Sequence, residues 1–236
     1  ACVGRIRYVG GLLYDADRIV EAVQVEDEAL VQAQRDIILD PFRPDVIAAA
    51  RANGIDEGTL KYVQGSPVYE FVKRWRIALP LHSEFRTLPM LFYVPPLQPV
   101  MATVQDGIYE SFNEEMFGSV DQCRTPIRYL GRLLGGGNDA EVRYALRKVM
   151  AVRVFKRMQS VGDVDSDKVK TMMAELDADA DELEAIYRLT SLATLHDRYV
   201  IPPSHRELTE EQLYPRVSDA PGQTGLGFVH KPVRGT

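Results

Sequence analysis

Asp139-Ala-Glu-Val-Arg-Tyr-Ala-Leu-Arg-Lys-Val-Met-Ala-Val-Arg-Val-Phe-Lys-Arg-Met158 is the longest stretch of the chain with one clear period. Val142, Leu146, Val149 and Met150 recur at helical spacing and predict an apolar face on a helix over 140–158, capped by Asp139. Arg143, Arg147, Arg153 and Arg157, with Lys148 and Lys156, supply its positive charge. Two readings of that charge stand: a solvated face, or a patch that meets an acidic partner surface. The neighbouring segments extend the helical pattern. Ile127 to Leu134 reads as a short helix closed by Gly135-Gly136-Gly137, and two further helices are expected near 166–176 and 181–195.

Toward the N-terminal side the pattern stays helical. Leu30, Ile37 and Ile38 mark a helix over 26–39, ended by Asp40-Pro41, because a proline disfavours helical geometry in the residue before it. Pro44 suits the first turn of the next helix, and Asn53-Gly54 stops it. A helix over 56–64 follows, then Gly65-Ser66-Pro67 as cap and start, then a helix from Val68 to Leu79. The expected class is mainly α, with long irregular proline-rich segments. The largest of these is 79–100, where Pro80, Pro89, Pro95, Pro96 and Pro99 forbid a regular helix and disfavour a central strand. Its run Leu88, Met90, Leu91, Phe92, Tyr93 and Val94 is strongly apolar. It either packs on its own domain or forms a proline-stiffened arm that docks on a partner. Residues 102–122 read as loop. The polar tail from about 216 is either disordered or draped over another subunit.

The first residues pose a different question. Cys2 is followed by Gly4 and by Arg5 and Arg7 alternating with Val3, Ile6 and Tyr8; residues 6–13 suit a short strand. Cluster-bound thiolates are stabilised by nearby N–H groups and cations, and glycine permits close approach of the backbone. Cys2 is therefore either an iron–sulfur ligand or a lone cysteine. Cys123 has no neighbouring His or Cys and reads as structural. Other motifs fail on chemistry. Asp163-Val-Asp165-Ser-Asp167 begins like a calcium loop, but Lys168 stands where the turn needs glycine and Ala174 where calcium needs glutamate. These aspartates read as caps for the helix that follows. His82, His196, His205 and His230 make no zinc spacing. Ser204-His-Arg-Glu207 reads as a capping box. The glycine pairs and triplets fit neither phosphate-binding pattern, and no nucleophile triad is present.

With 236 residues, 45% hydrophobic and 26% charged, the composition is that of a folded domain with one sizeable core. A net charge of −6 disfavours nucleic acid as the main partner. No apolar run of about 18 residues is present to span a membrane. Two cysteines make no disulfide framework and suit a reducing, cytoplasmic setting.

Four stretches, in order, carry a resemblance: Cys2-Val-Gly-Arg-Ile-Arg-Tyr-Val-Gly10 with Leu12-Leu-Tyr-Asp-Ala-Asp-Arg-Ile19; Leu79-Pro-Leu-His-Ser-Glu-Phe-Arg-Thr-Leu-Pro-Met-Leu-Phe-Tyr-Val-Pro-Pro96; Arg153-Val-Phe-Lys-Arg157; and Asp197-Arg-Tyr-Val-Ile-Pro-Pro-Ser-His-Arg-Glu-Leu208. Together they resemble the beta subunit of respiratory nitrate reductases, in its C-terminal part. The resemblance implies an electron-transfer subunit with [4Fe–4S] and [3Fe–4S] clusters. Its partners would be a haem-containing membrane gamma subunit and a molybdenum-bearing catalytic alpha subunit, at the cytoplasmic face of the membrane. It implies that Cys2 is a [4Fe–4S] ligand, the other ligands being expected upstream, and that no residue here converts substrate. The expected organisation is the tail of a ferredoxin-like α+β iron–sulfur domain over 1–20, a helical docking domain over 21–215 and an irregular tail over 216–236. Arg5 and Arg7 are candidates for tuning the cluster. Arg86, Tyr93, Pro95, Pro96, His205 and Arg206 are candidates for partner docking. Alternatives from other classes are a non-redox assembly module, a stand-alone enzyme using the histidines, and a beta subunit of a nitrite oxidoreductase or another oxyanion reductase.

Overall fold

The computed structural model describes residues 7–95, 102–105, 108–111, 120–121, 123–162 and 165–201. Cys2, Arg5, Pro96, His205, Arg206, the 204–207 capping box and the tail lie outside them. In chain order the helices of the first half are α1 (Ile19–Gln24), α2 (Asp27–Asp36), α3 (Pro44–Ala52), α4 (Glu57–Gln64) and α5 (Pro67–Tyr69). The last continues as a π-turn over Glu70–Arg74. Two short antiparallel pairs follow: β1 (Leu79–Pro80) with β2 (Phe92–Tyr93), and β3 (Ala102–Gln105) with β4 (Ile108–Ser111). Then come α6 (Ile127–Leu134), α7 (Asp139–Ser160), α8 (Ser166–Glu175), α9 (Ala180–Tyr187) and α10 (Leu195–Arg198). The chain is mainly helical, as its periodicity requires.

α7 is the axis of the fold. It supplies Val149, Ala151, Val152, Val154 and Phe155 to a core shared with Phe71, Trp75, Met172, Leu183 and Ile186. Val142, Ala145, Leu146 and Met150 form a second core with Val31, Leu79, Ile127 and Leu134. Packed on two sides, the helix keeps only part of its basic side open: Arg153 and Arg157 are exposed, as a solvated face requires. Arg143 pairs with Asp121, Arg147 with Glu175, Lys148 with Glu182 and Lys156 with Glu184. Its charge is met largely by acids of the same chain, a solution outside both sequence readings. The helix cap is Asn138, one residue before the expected Asp139: its Oδ1 accepts from the Ala140 amide at 2.9 Å.

The turn into α7 explains part of the glycine triplet. Gly136 has φ +62°, and a Cβ there would lie 2.8 Å from the Asp27 carbonyl oxygen. Only glycine satisfies both the left-handed backbone and the approach to α2. Asn138 Nδ2 then donates to the Glu28 carbonyl at 2.8 Å, fastening the same corner.

Several expected elements differ. Residues 6–13 do not form a regular strand within the described range. Val9 makes one parallel bridge to Tyr199, and Tyr14 one antiparallel bridge to Ile38. Tyr8 stacks edge-on against Phe71 and donates its hydroxyl to the Leu189 carbonyl at 2.8 Å. α1 went unread, because Val20, Ala22 and Val23 are too few to show a period. The helix expected to run to Leu79 ends at the π-turn. Arg76 takes φ +58°, and the Ile77 and Ala78 amides both return to the Phe71 carbonyl. The loop expected over 102–122 contains the β3–β4 hairpin. The last helix breaks at Leu192, and Thr194 restarts α10 with a capping box to Asp197. Asp165 caps α8, as read from the sequence.

Candidate docking hairpin and its anchoring network

Residues 79–93 double back as a hairpin whose legs are β1 and β2. Its register pairs Leu79 with Tyr93 and Pro80 with Phe92, and the Leu81 amide adds a bond to the Leu91 carbonyl at 3.2 Å. Prolines limit such a ladder to a few bonds, so the strands are short. A single 3₁₀ turn, Ser83–Phe85, forms the tip. It lies between two left-handed residues that are not glycine, His82 (φ +55°) and Arg86 (φ +52°). Such backbone costs free energy and persists only where surrounding bonds over-determine it.

Those bonds are present. The His82 amide donates to the Leu133 carbonyl of α6 at 3.1 Å, and His82 Nδ1 lies 2.9 Å from Glu84 Oε1. That partner holds the Glu84 carboxyl below its ordinary value. Arg86 reaches backward: Nη1 donates to the carbonyls of Val23 at 2.9 Å and Val25 at 2.6 Å, and Nη2 pairs with Asp27. One guanidinium thus closes the α1–α2 junction and fixes the hairpin to it, as a planar multi-donor fork allows. Gln34 Nε2 donates to the Thr87 carbonyl at 3.0 Å, and the Tyr14 hydroxyl to the Pro89 carbonyl at 3.1 Å. Burial pushes the Tyr14 phenol up to about 12.

The hairpin shows several large apolar side chains to solvent, beside the exposed His82, Glu84 and Thr87. Met90 is 86% exposed and Phe85 69%, with Leu91 and Tyr93 also exposed. Leu79, Pro80 and Pro89 are buried against the helices. The segment therefore combines both sequence readings: its back is packed on its own domain, and its front carries uncovered large side chains. Beside β2, Tyr93, Val94 and Pro95 line a groove of about 520 Å³ with Leu130, Leu134 and Leu146. Cys123 also borders it. Burial, with Asp121 nearby, raises the Cys123 thiol pKa, so that sulfur is poorly suited to thiolate chemistry.

Beneath the hairpin lies a buried charge network that sequence reading missed. Arg35, 3% exposed in its side chain, donates through Nη1 to Glu141 Oε2 at 2.8 Å and through Nε to the Val72 carbonyl at 3.0 Å. Arg76 Nη2 binds the other Glu141 oxygen at 3.2 Å, and its guanidinium lies over the Tyr144 ring at 4.8 Å. Lys148, only 2% exposed, donates to the Tyr144 hydroxyl at 3.1 Å and pairs with Glu182. The signal was present in α2. Arg35 stands four residues after Val31 and three before Ile38, a charge set on an apolar stripe. Phe85 and Met90 had no such signal, because a proline-broken segment has no period to show which side is outward.

Of the sequence-derived candidates, the structure places Arg86, Tyr93 and Pro95 on or beside this hairpin. Arg7 is exposed at the edge of the fold, and its carbonyl accepts from Arg198 Nη1 at 3.4 Å. Among the described residues, no group of three or more His, Cys, Asp or Glu side chains could hold a metal ion. Among them too, no helix is long and apolar enough to cross a membrane.

This is a mainly helical domain built on one central helix, with a fixed apolar hairpin on its surface. Residues 97–178 match the family described as respiratory nitrate reductase beta C-terminal. The chain is 40% identical over 233 residues to the nitrate reductase beta chain of Bacillus subtilis (strain 168), covering 98% of this chain and 46% of that protein. It is 41% identical over 229 residues to the respiratory nitrate reductase 1 beta chain of Escherichia coli (strain K12), 96% of this chain and 42% of that one. A respiratory nitrate reductase beta chain from Bradyrhizobium sp is 31% identical over 207 residues, 87% of this chain and 59% of that one. Over nearly its whole length the chain is similar to respiratory nitrate reductase beta chains. It spans less than half the length of the first two relatives.

Proposed function

We propose that this chain is part of the electron-transferring iron–sulfur subunit of a molybdenum-dependent nitrate reductase. The observation that carries the reading is the 40% identity, over nearly the whole chain, to a nitrate reductase beta chain. Cys2 ligates a [4Fe–4S] cluster, Arg5 and Arg7 bring positive charge beside it, and the parent subunit carries further [4Fe–4S] and [3Fe–4S] clusters. When bound, such clusters supply one-electron transfer. The described residues offer no cluster ligand set, so the part they play is mechanical: they hold the segment that follows Cys2 and present a docking surface. Electrons pass from a haem-containing membrane gamma subunit to a catalytic alpha subunit, at the cytoplasmic face of the membrane. Residues 1–20 close the ferredoxin-like cluster domain, 21–215 form the docking domain, and 216–236 form an irregular tail.

Partner docking is assigned to the hairpin face, with Tyr93, Pro95 and Pro96 joined by Phe85 and Met90. His205 and Arg206, outside the described residues, are proposed to take part in docking as well, and Arg86 acts from behind by fixing the hairpin. Exposed aromatic and sulfur side chains on a pre-formed element suit the centre of an interface, because little ordering cost opposes binding.

The test is EPR spectroscopy of the complete beta subunit, expressed anaerobically, with and without Cys2→Ala. Several cluster signals are expected, with one [4Fe–4S] species lost or converted in the variant. Unchanged spectra in the variant would remove Cys2 from the site. A subunit without any cluster would leave only the assembly role.

A further inference from the structure

Two buried polar atoms next to each other in sequence have no hydrogen-bond partner among the described residues: Gln34 Oε1 and Arg35 Nη2. Every other strong group on these two side chains that the core encloses is accounted for. Gln34 Nε2 donates to the Thr87 carbonyl at 3.0 Å, which fixes the amide orientation, since a flipped amide would set two acceptors against each other. Arg35 Nε donates to Val72, and Nη1 to Gln32 and Glu141. Both residues line one small cavity of about 10 Å³, walled by Val72, Pro80, Pro89 and Phe92.

We infer that this cavity is a hydration site: one ordered water accepts from Arg35 Nη2 and donates to Gln34 Oε1. The volume matches the roughly 10–15 Å³ that a single water requires. The chemistry selects water over other small occupants. A cation is repelled by the Arg35 guanidinium. An anion would face the Gln34 carbonyl oxygen, which only accepts. Water alone among common occupants donates to one group and accepts from the other. The site sits between α2 and both legs of the 79–93 hairpin, through Pro80 on one leg and Pro89 and Phe92 on the other. It adds a fastening to those made by Arg86, Gln34 and Tyr14. The inference rests on this geometry and is independent of the proposed docking role.

Crystallography of the protein, at a resolution that shows ordered solvent, tests it. The expected result is one peak within hydrogen-bond distance of both Gln34 Oε1 and Arg35 Nη2, which disappears in Gln34→Met. A dry cavity, a peak bonded to neither atom, an anion in its place, or a peak unchanged in Gln34→Met would each overturn the assignment. Should the variant fail to fold, water–protein NOEs on the unmodified protein decide: a long-lived water is expected beside the Val31 and Val72 methyl groups, and its absence refutes the site.

Discussion

Arg35 and Glu141 are 106 residues apart in sequence and meet at 2.8 Å, both side chains withdrawn from water. The pair ties α2 to the first turn of α7, and Arg76 shares its carboxylate. Removing one partner leaves a buried charge uncompensated, which costs about 3–5 kcal/mol. Glu141→Ala should lower the urea midpoint accordingly, with little change in the denaturant slope. Replacing Arg35 and Glu141 together by apolar residues of similar volume should recover much of that loss. A single substitution without measurable cost would show that the pair is not buried in solution.

Arg86→Lys keeps the charge and loses the fork. One ammonium cannot serve the Val23 and Val25 carbonyls together with Asp27 in the same planar geometry. Each lost hydrogen bond from a charged donor is worth about 1.5–3 kcal/mol. Faster amide exchange is expected across 82–91 and at the α1–α2 junction, while α7 keeps its protection. Unchanged exchange in the hairpin would show that the other fastenings suffice.

The double substitution Phe85→Ser with Met90→Ser removes largely exposed apolar surface, at the cost of the ring contact between Phe85 and His82. Folding stability should change by no more than about 0.5 kcal/mol per site. If the hairpin docks as proposed, assembly should fall at least tenfold in a pull-down of the complete subunit with the proposed alpha and gamma subunits. Unimpaired assembly would place the interface elsewhere.

Tyr14 should resist ionisation. Its phenol is pushed from the ordinary 10.0 to about 12 by burial. The native state therefore holds this proton longer than the unfolded chain does. The associated stability is present in full below about pH 10 and is lost as pH rises through 12. Difference absorbance against Tyr14→Phe should show one tyrosine titrating late. The phenylalanine variant should lose less stability than the parent between pH 10 and 12.

Glu70 responds in the acid range. Burial raises its pKa above the ordinary 4.5, with Arg74 opposing and Asp40 and Glu182 reinforcing the rise. A carboxyl whose pKa rises on folding contributes stability below the unfolded value and loses it as pH rises through the folded one. Glu70→Gln should thus be at least as stable as the parent at pH 7, with the difference closing below about pH 4. A less stable variant at pH 7 would mean that the Arg74 pair outweighs burial.

Periodicity made most of the helices legible, because residues such as Val142, Leu146 and Val149 lie on a face that only a helix can bury together. Start and stop signals were legible where one residue decides, as at Pro44 and Gly54. Long-range pairing was not. Just past the end of its helix, Arg76 pairs with Glu141, 65 residues away, and no local window contains that partner. β3 and β4 read as loop in the sequence, because a run of Ala, Thr, Val and Gln followed closely by Ile, Tyr and Glu is too short to show a two-residue period. The apolar character of 79–94 was evident in the composition. Which of its side chains face outward depends on Arg86 and Tyr14 gripping its back, and that required the structure.

Tyr8 and Leu189 are bonded across 181 residues, next to the Val9–Tyr199 bridge. On a ribosome adding about 5–20 residues per second, that clasp cannot close for roughly 10–40 seconds after Tyr8 emerges. Until then Tyr8 and Val9 lack the partners that hold them in the finished fold. The order of synthesis thus leaves an interval in which this edge is unclasped, before the last helices arrive.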